Sequence, residues 1–140
     1  MMIQKCTFKD CPFLCLMNKQ LIEDEKSDNP MTIPQLEQRM QGFLGGEYEA
    51  YYLKDQDTVL GYALVKISSS PKYLRQFFIR PEYRRKGLGT LFFHLLMDAL
   101  KEEEIDIEVF AWNQPGEMFW ESLGFLPRSI YMRYSSKTKI

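Results

Sequence analysis

Apolar residues between Leu88 and Ala99 recur at steps of three and four positions, which is the spacing of an amphipathic helix. The stripe consists of Leu88, Leu91, Phe92, Leu95, Leu96 and Ala99. The helix is expected to run on through Glu103. Upstream, residues 77–79 form an aromatic and β-branched run that Pro81 ends, because proline has no amide hydrogen for a sheet. This stretch therefore predicts a strand, a turn and a helix.

Two further helices are predicted nearer the N-terminus. Asp10 can cap the first, with Pro12 in its first turn, and this helix is expected to end near Ile22. Thr32 can cap the second, which has an apolar face over residues 33–44 and stops at the two glycines that follow.

The remaining pattern predicts strands. Residues 48–54 and 58–67 are joined by a short polar segment, which indicates an antiparallel hairpin. Residues 105–110 alternate between two faces, with Glu108 on the polar one. Shorter strands are expected at 2–8 and 130–134, and a short helix between 113 and 124.

The strand, turn, helix and strand over residues 72–110 predict a βαβ unit, in which the two strands lie parallel. Its turn places Arg84, Arg85 and Lys86 before Gly87 and Gly89. A helix start attracts anions through its unpaired amides and dipole, and glycines let a phosphate come close. Two glycines alone would indicate only a break between strand and helix. Together with three cations, they suit a pyrophosphate.

Length and charge restrict the function further. At 140 residues, 45% of them hydrophobic, residues 1–140 are expected to form a single domain. The 18 Lys and Arg nearly balance 19 Asp and Glu, whereas a general nucleic-acid binder usually has an excess of cations. Nucleic acid is therefore not an expected partner. Six cations nevertheless lie between Lys72 and Lys86, at the proposed anion site.

The three cysteines, Cys6, Cys11 and Cys15, are odd in number and crowded near the N-terminus. This pattern suits neither a disulfide framework nor a zinc site, so we expect buried apolar thiols and no metal. No apolar run approaches the ~20 residues that span a bilayer, and the N-terminus lacks a secretory pattern. The expected location is the cytoplasm, with no membrane partner.

The basic turn, Arg84-Arg85-Lys86-Gly87-Leu88-Gly89, closely resembles the (R/Q)xxGxG/A acetyl-CoA loop of the GNAT (general N-acetyltransferase) superfamily. Residues 113–125, NQPGEMFWESLGF, resemble the family pattern NxxAxxFYExxGF. Gly116 stands where alanine is usual, and Trp120 where tyrosine is usual. The two motifs occur in the family's order and separation, and the likeness covers about half the chain, from 59 to 125.

The resemblance implies an α/β fold with a mixed sheet in the order β-α-α-β-β-β-α-β-α-β. Its two parallel strands would splay apart and leave a slot for acetyl-CoA, the co-substrate, whose pantetheine arm would pair with strand backbone. Asn113 would contact the cofactor near that arm, although it could also be a simple turn former. The expected cofactor-binding residues are Phe77, Phe78, Ile79, Arg84, Arg85, Lys86, Gly87, Leu88, Gly89, Thr90, Asn113 and Trp120.

The implied reaction is direct attack of a primary amine on the thioester. A free alkylamine has a pKa near 10.4, so a base must take its proton at neutral pH. Glu108 is the candidate, because it precedes Asn113 by five residues, as in the EVxxxN segment of ribosomal-protein alanine N-acetyltransferases. It also lies on the polar face of a strand expected to be covered on both sides. The alternative is a structural carboxylate paired with a cation.

Trp120 leaves the general acid unassigned, because an indole N–H can donate a hydrogen bond but cannot supply a proton. Tyr131 and Tyr134 are the nearest replacements in sequence, and a thiolate is a tolerable leaving group without one. The missing tyrosine also keeps a non-catalytic acyl-CoA-binding module as the alternative function. His94 lies off the apolar stripe of its helix and is expected at the surface.

Three carboxylates, Glu23, Asp24 and Glu25, close the first helix, where the helix dipole disfavours negative charge. One hypothesis is an acidic lip that attracts a small cationic amine or a protein amine as substrate; the other is a solvated loop. The sequence specifies neither the acceptor amine nor the oligomeric state, for which a homodimer is one expectation.

Overall fold

A computed structural model describes residues 1–137 and divides them into two compact units, Met1–Phe110 and the part from Ala111 onward. The elements of the first unit are β1 (Met2–Lys5), α1 (Cys11–Asp24), α2 (Ile33–Leu44), β2 (Tyr48–Asp55), β3 (Thr58–Lys66), β4 (Lys72–Ile79), α3 (Leu88–Leu100) and β5 (Ile105–Asp106). The second unit contains α4 (Gln114–Ser122).

The sheet has the order β1-β2-β3-β4-β5. Neighbours from β1 to β4 are antiparallel, and β5 pairs with β4 in parallel. The predicted hairpin is β2 and β3, and the predicted βαβ unit is β4, α3 and β5. The mixed α/β fold class and the parallel pair are thus confirmed.

Helices cover both faces of this sheet. On one face, Leu14 of α1 and Met40 of α2 pack in a buried cluster with Tyr62 and Phe78 of the sheet. Successive strand residues point to opposite faces, so Phe77 lies on the other face, where its ring stacks on Phe92 of α3 at 5.0 Å. The elements that position the candidate site are therefore built into a packed core.

Local sequence signals place the helix starts well. Thr32 caps α2: its hydroxyl accepts from the Gln35 amide, and the Gln35 side chain accepts from the Thr32 amide, at 3.4 and 2.8 Å. The helix ends before Gly45. Asp10 precedes α1 but its side chain does not cap it, since Oδ2 instead accepts from the Thr7 amide at 2.8 Å. α1 has Pro12 in its first turn and runs beyond Ile22 to Asp24. The acidic lip thus lies at the end of α1, as predicted.

Three predicted boundaries are wrong. α3 ends at Leu100, not near Glu103, because Lys101 takes a left-handed conformation with φ of 56° and its amide closes the last turn. β1 ends at Lys5, since a 3₁₀ helix occupies Phe8–Asp10. β5 contains only Ile105–Asp106, so residues 107–110 continue outside the ladder.

The strand expected at residues 130–134 is also absent from the described part of the second unit. A strand needs a neighbour for its hydrogen bonds, and no ladder within residues 1–137 includes this segment. The apolar and aromatic composition of residues 130–134 alone did not suffice to make the segment a strand.

The cysteine expectation is confirmed: Cys6, Cys11 and Cys15 are buried free thiols. Burial is the main cause that raises the pKa of each of them. At neutral pH these side chains therefore behave as small apolar groups. In the described residues, no helix combines the length and the hydropathy needed to cross a membrane.

Candidate active site

The parallel strands β4 and β5 pair only at their beginnings, through Lys72 with Ile105 and Tyr73 with Asp106. β4 itself continues along β3 to Ile79. The pairing of the two parallel strands therefore stops within the sheet, at the level of Tyr73. Glu108 follows β5 by two positions and lies at this point.

The register of β3 and β4 decides which backbone groups face β5. The Arg80 amide donates to the Leu60 carbonyl at 2.8 Å, which makes this a hydrogen-bonded pair. Hydrogen-bonded and non-hydrogen-bonded pairs alternate along an antiparallel ladder. Phe78 therefore directs its amide and carbonyl toward β3, whereas Phe77 and Ile79 direct theirs to the β5 side. Of the three strand residues predicted to pair with a cofactor, Phe77 and Ile79 have the suitable orientation.

The basic loop has two residues in the left-handed region, Arg85 with φ of 65° and Gly87 with φ of 73°. Gly87 is the N-cap of α3, and its carbonyl accepts from the Leu91 amide at 3.2 Å. A β-carbon on Gly87 would meet no atom within 4 Å. The first amides of α3, which have no partner within the helix, thus lie beside exposed Arg85 and Lys86 and next to open space.

Arg84 has a different role from its two basic neighbours. Its Nη2 is 2.6 Å from the Asp24 carboxylate, and its Nε donates to the Ile79 carbonyl at 2.7 Å. The guanidinium also lies 5.2 Å from the centre of the Phe78 ring. Arg84 therefore ties the C-terminal end of α1 to the end of β4.

The three carboxylates of the acidic lip are consequently not equivalent. Glu23 is exposed, whereas Asp24 is paired with Arg84. Glu25 is half-buried, and burial, followed by the charge of Asp24, raises its pKa above the ordinary value of 4.5. Only Glu23 matches the simple picture of a solvated anion.

Glu108 accepts a hydrogen bond from the Tyr73 hydroxyl. Burial, together with the charge of Glu108, raises the pKa of Tyr73 to about 12, so the phenol is protonated at neutral pH and can donate. Glu108 is exposed and takes part in no ion pair among residues 1–137. Its partner is thus a hydroxyl and not a cation. Sequence reasoning missed Tyr73, which the β4–β5 register alone brings next to this carboxylate.

In the second unit, Asn113 caps α4. Its Oδ1 accepts from the Gly116 amide at 3.1 Å. A β-carbon on Gly116 would meet the Asn113 side-chain amide, which would have to shift to make room for alanine. The Trp120 ring contacts Phe119 and Phe125 at centroid distances of 4.8 and 5.2 Å. Asn113 is therefore a helix cap, as its turn-forming interpretation expects, with Nδ2 still able to donate.

The model of the acetyltransferase (GNAT) family matches residues 16–125. The chain belongs to the GNAT acetyltransferase family. It is therefore an acyltransferase enzyme, and the family match spans parts of both compact units. A search of curated proteins found no match.

Solved structures of similar fold include other acetyltransferases. A protein of Clostridium difficile 630 described as a possible acetyltransferase is 16% identical, with a TM-score of 0.77 over 98% of this chain and 97% of that one. The PaiA N-acetyltransferase of Thermoplasma acidophilum, in complex with coenzyme A, is 16% identical, with a TM-score of 0.76 over 92% and 91%. A predicted acetyltransferase of Clostridium acetobutylicum with acetyl-CoA is 14% identical, with a TM-score of 0.71 over 95% and 94%.

Within the first unit of this GNAT acetyltransferase, the structure brings predicted residues together in two places. Asp24 of the lip meets Arg84 of the basic loop, and Glu108 meets Tyr73 at the β4–β5 junction. The exposed His94 lies at the surface, as expected. Among the described residues, no group of three or more His, Cys, Asp or Glu side chains is placed to hold a metal ion.

Proposed function

We propose that this acetyltransferase moves an acetyl group from acetyl-CoA to a primary amine, by direct attack of the neutral amine on the thioester. The observation that carries the proposal is the start of α3, where a glycine N-cap in the left-handed region and two exposed cations adjoin open space. Acetyl-CoA and coenzyme A accompany two structures of the same fold.

The cofactor would be held at two places in the first unit. Amides from Arg85 to Thr90, with the Arg85 and Lys86 side chains, would bind the pyrophosphate. The β5-facing backbone of Phe77 and the amide of Ile79 would pair with the pantetheine arm, since the Ile79 carbonyl already accepts from Arg84. Arg84 would brace the loop through its bonds to Asp24 and the Ile79 carbonyl, and its remaining N–H donors could still contact phosphate. In the second unit, Asn113 and Trp120 would contribute hydrogen-bond donors.

Glu108 would act as the base. As the amine nitrogen bonds to the carbonyl carbon, its proton passes to the carboxylate, directly or through water; the carbon–sulfur bond then breaks. The departing thiolate ends as the thiol of coenzyme A after taking up a proton. The Tyr73 hydroxyl holds the Glu108 carboxylate in place at the β4–β5 junction. No side chain is required as acid, since a thiolate can leave unprotonated.

The family match, from residue 16 to residue 125, includes elements of both compact units. We therefore propose that the chain works as one catalytic domain. The acceptor is a primary amine, on a small molecule or at a protein site, and the exposed Glu23 is the lip residue that can attract its ammonium form.

The proposal is tested by following release of free coenzyme A from acetyl-CoA over a panel of polyamines, aminoglycosides, amino acids and N-terminal peptides. At least one amine is expected to raise release well above the amine-free background, and Glu108→Gln to abolish the increase. Acetyl-CoA binding by calorimetry, without release for any amine, would instead support the non-catalytic acyl-CoA-binding module.

A further inference from the structure

Two arginines of the first unit enclose one aromatic ring. The guanidinium carbons of Arg39, on α2, and Arg75, on β4, lie 5.3 and 5.0 Å from the centre of the Phe43 ring. Arg75 occupies the irregular position in the β3–β4 register, and it contacts Tyr48 as well. This arginine pair brings two positive charges together on the face of the sheet that α1 and α2 cover.

The hydrogen-bond partners of the arginine pair are neutral. Arg39 Nη2 donates to Asn18 Oδ1 at 3.1 Å, and Arg75 Nη1 donates to the Tyr48 hydroxyl at 3.3 Å. Arg39 Nε is buried and has no hydrogen-bond partner in the described residues. Neither arginine belongs to an ion pair within residues 1–137. Burial and then the charge of Arg75 lower the pKa of Arg39, as expected for adjacent cations without an anion.

One member of the arginine pair, Arg75, lies near the candidate base. Tyr73 donates a hydrogen bond to Glu108, and, after burial, the charges of Glu108 and Arg75 both affect its pKa. On β4, only Leu74 separates Tyr73 from Arg75. Burial raises the pKa of Tyr62, the charge of a second carboxylate, Glu25, raises it further, and the charge of Arg39 lowers it. Both signs of charge are thus present: carboxylates suited to an ammonium group, and guanidinium groups suited to an anion.

We propose that Arg39 and Arg75 bind a carboxylate of the acceptor, so that the substrate is a small molecule with both an amine and a carboxylate, such as a free amino acid. This inference rests on the proposed amine acetylation. The guanidinium fork matches the two oxygens of a carboxylate, and an anion there would relieve the repulsion within the pair and give Arg39 Nε an acceptor. The amine of the same molecule would face Glu108.

The first experiment compares acceptors that differ only in the anion. Each proteinogenic amino acid is assayed for coenzyme A release beside its carboxamide and the corresponding decarboxylated amine. For the best acceptor, loss of the carboxylate is expected to raise KM roughly 10- to 100-fold, the range of a charge-assisted hydrogen bond. Equal KM values for the three forms, or preference for an amine carrying a phosphate, would overturn the proposal.

The second experiment changes the protein. Arg75→Gln, at an exposed position, is expected to raise KM for the amino acid by a similar factor while leaving KM for its carboxamide and the Kd of acetyl-CoA unchanged. Arg39→Gln should act in the same direction. Lys54→Gln removes a charge from β2, where the Lys54 ammonium donates to Gln4 of the edge strand β1 at 3.0 Å; it is the matched control and should change none of these values.

Failure of the proposed function remains distinguishable from failure of this inference. If no amine releases coenzyme A, binding of the amino acids themselves is measured by calorimetry on the protein saturated with coenzyme A. Binding that Arg75→Gln weakens and Lys54→Gln does not would sustain the carboxylate site without catalysis. Absence of amino acid binding, or binding insensitive to Arg75→Gln, would remove it.

Discussion

Glu108 and Tyr73 form a carboxylate–phenol pair at the point where the parallel strands stop pairing. Sequence alone offers Glu108 as a base but does not say what holds it. The Tyr73 hydroxyl holds this carboxylate, and because its pKa is raised to about 12, it is still a donor near pH 10.4, where half of a free alkylamine is neutral.

The first prediction concerns this pair. Glu108→Gln should lower kcat at neutral pH by roughly 10²- to 10⁴-fold, the usual range for a general base, and activity should partly recover as rising pH supplies more neutral amine. Tyr73→Phe keeps the ring and should cause a smaller loss of the same kind. The measurement is a pH–rate profile for the three proteins. Wild-type kcat in Glu108→Gln at every pH would exclude Glu108 as base.

The second prediction uses two glycines with equal space around them. A β-carbon would meet nothing within 4 Å at Gly87 or at Gly42, but only Gly87 has a positive φ. Gly87→Ala should therefore be strained by about 1–2 kcal/mol, and relief of that strain should turn the first α3 amides away from the phosphates. The Kd of acetyl-CoA is expected to rise roughly tenfold.

Gly42→Ala is the matched control for that experiment. Gly42 lies inside α2, where alanine is the better helix former, so the free energy of unfolding should rise by up to about 1 kcal/mol and the Kd should stay constant. Calorimetric titration with acetyl-CoA measures both variants. An unchanged Kd in folded Gly87→Ala would contradict an anion site at the start of α3.

At the scale of elements, α1 and the basic loop are coupled through one ion pair. Asp24 closes α1, Arg84 opens the loop, and the two are 60 positions apart in sequence. The lip hypothesis treats Glu23, Asp24 and Glu25 as a substrate site with no bearing on the cofactor. Arg84 contacts Asp24 and also donates to the Ile79 carbonyl, at the end of the strand predicted to bind the cofactor. Asp24 is therefore coupled to the cofactor site and cannot serve the substrate alone.

The third prediction follows from this coupling. Asp24→Asn should weaken acetyl-CoA binding a few-fold, since a partly exposed ion pair contributes up to about 1 kcal/mol, and the loss should shrink as salt screens the pair. Glu23→Gln removes a neighbouring charge that is not held by Arg84 and should leave the Kd alone. Titrations at low and high salt measure the effect. Equal Kd values for both variants would show that the ion pair does not brace the loop.

The fourth prediction belongs to the whole molecule and concerns alkaline pH. Burial is the first cause that raises the pKa of several thiols and phenols, namely Cys6, Cys11, Cys15, Tyr51, Tyr52, Tyr62 and Tyr73. Ordinary values are 9.0 for cysteine and 10.0 for tyrosine. As pH rises past these values, the unfolded chain releases these protons before the folded chain does.

The contribution of these thiols and phenols to the unfolding free energy should therefore be level below about pH 8 and fall above about pH 9, by up to about 1.4 kcal/mol per pH unit for each group that titrates only in the unfolded state. Glu25 acts in the acidic range. Because its pKa is raised in the folded protein, the free energy of unfolding should rise as pH falls toward 4.5. Denaturant titrations from pH 4 to 11 measure both trends. A level curve between pH 8 and 11 would be inconsistent with the buried thiols and phenols.

The sequence by itself determined what depends on near neighbours. The Thr32 capping box joins residues three positions apart, α3 follows from a stripe of period 3.6, and the β2–β3 hairpin follows from two runs beside a short turn. The two cofactor motifs are likewise contiguous segments, so they indicated the family before any packing was known. These features need only hydrogen bonds and side-chain spacing within a few residues.

The tertiary structure decided what depends on register and long-range contact. Residues 107–110 and 130–134 have strand-like composition but no ladder partner in the described structure, and the orientation of the Phe78 backbone is set by its pairing with β3. Arg84 meets Asp24, Tyr73 meets Glu108, and Arg75 meets Phe43 only because separate elements pack together. A charged side chain can be recognised in a sequence, but its partner is chosen by which element the folded chain places beside it.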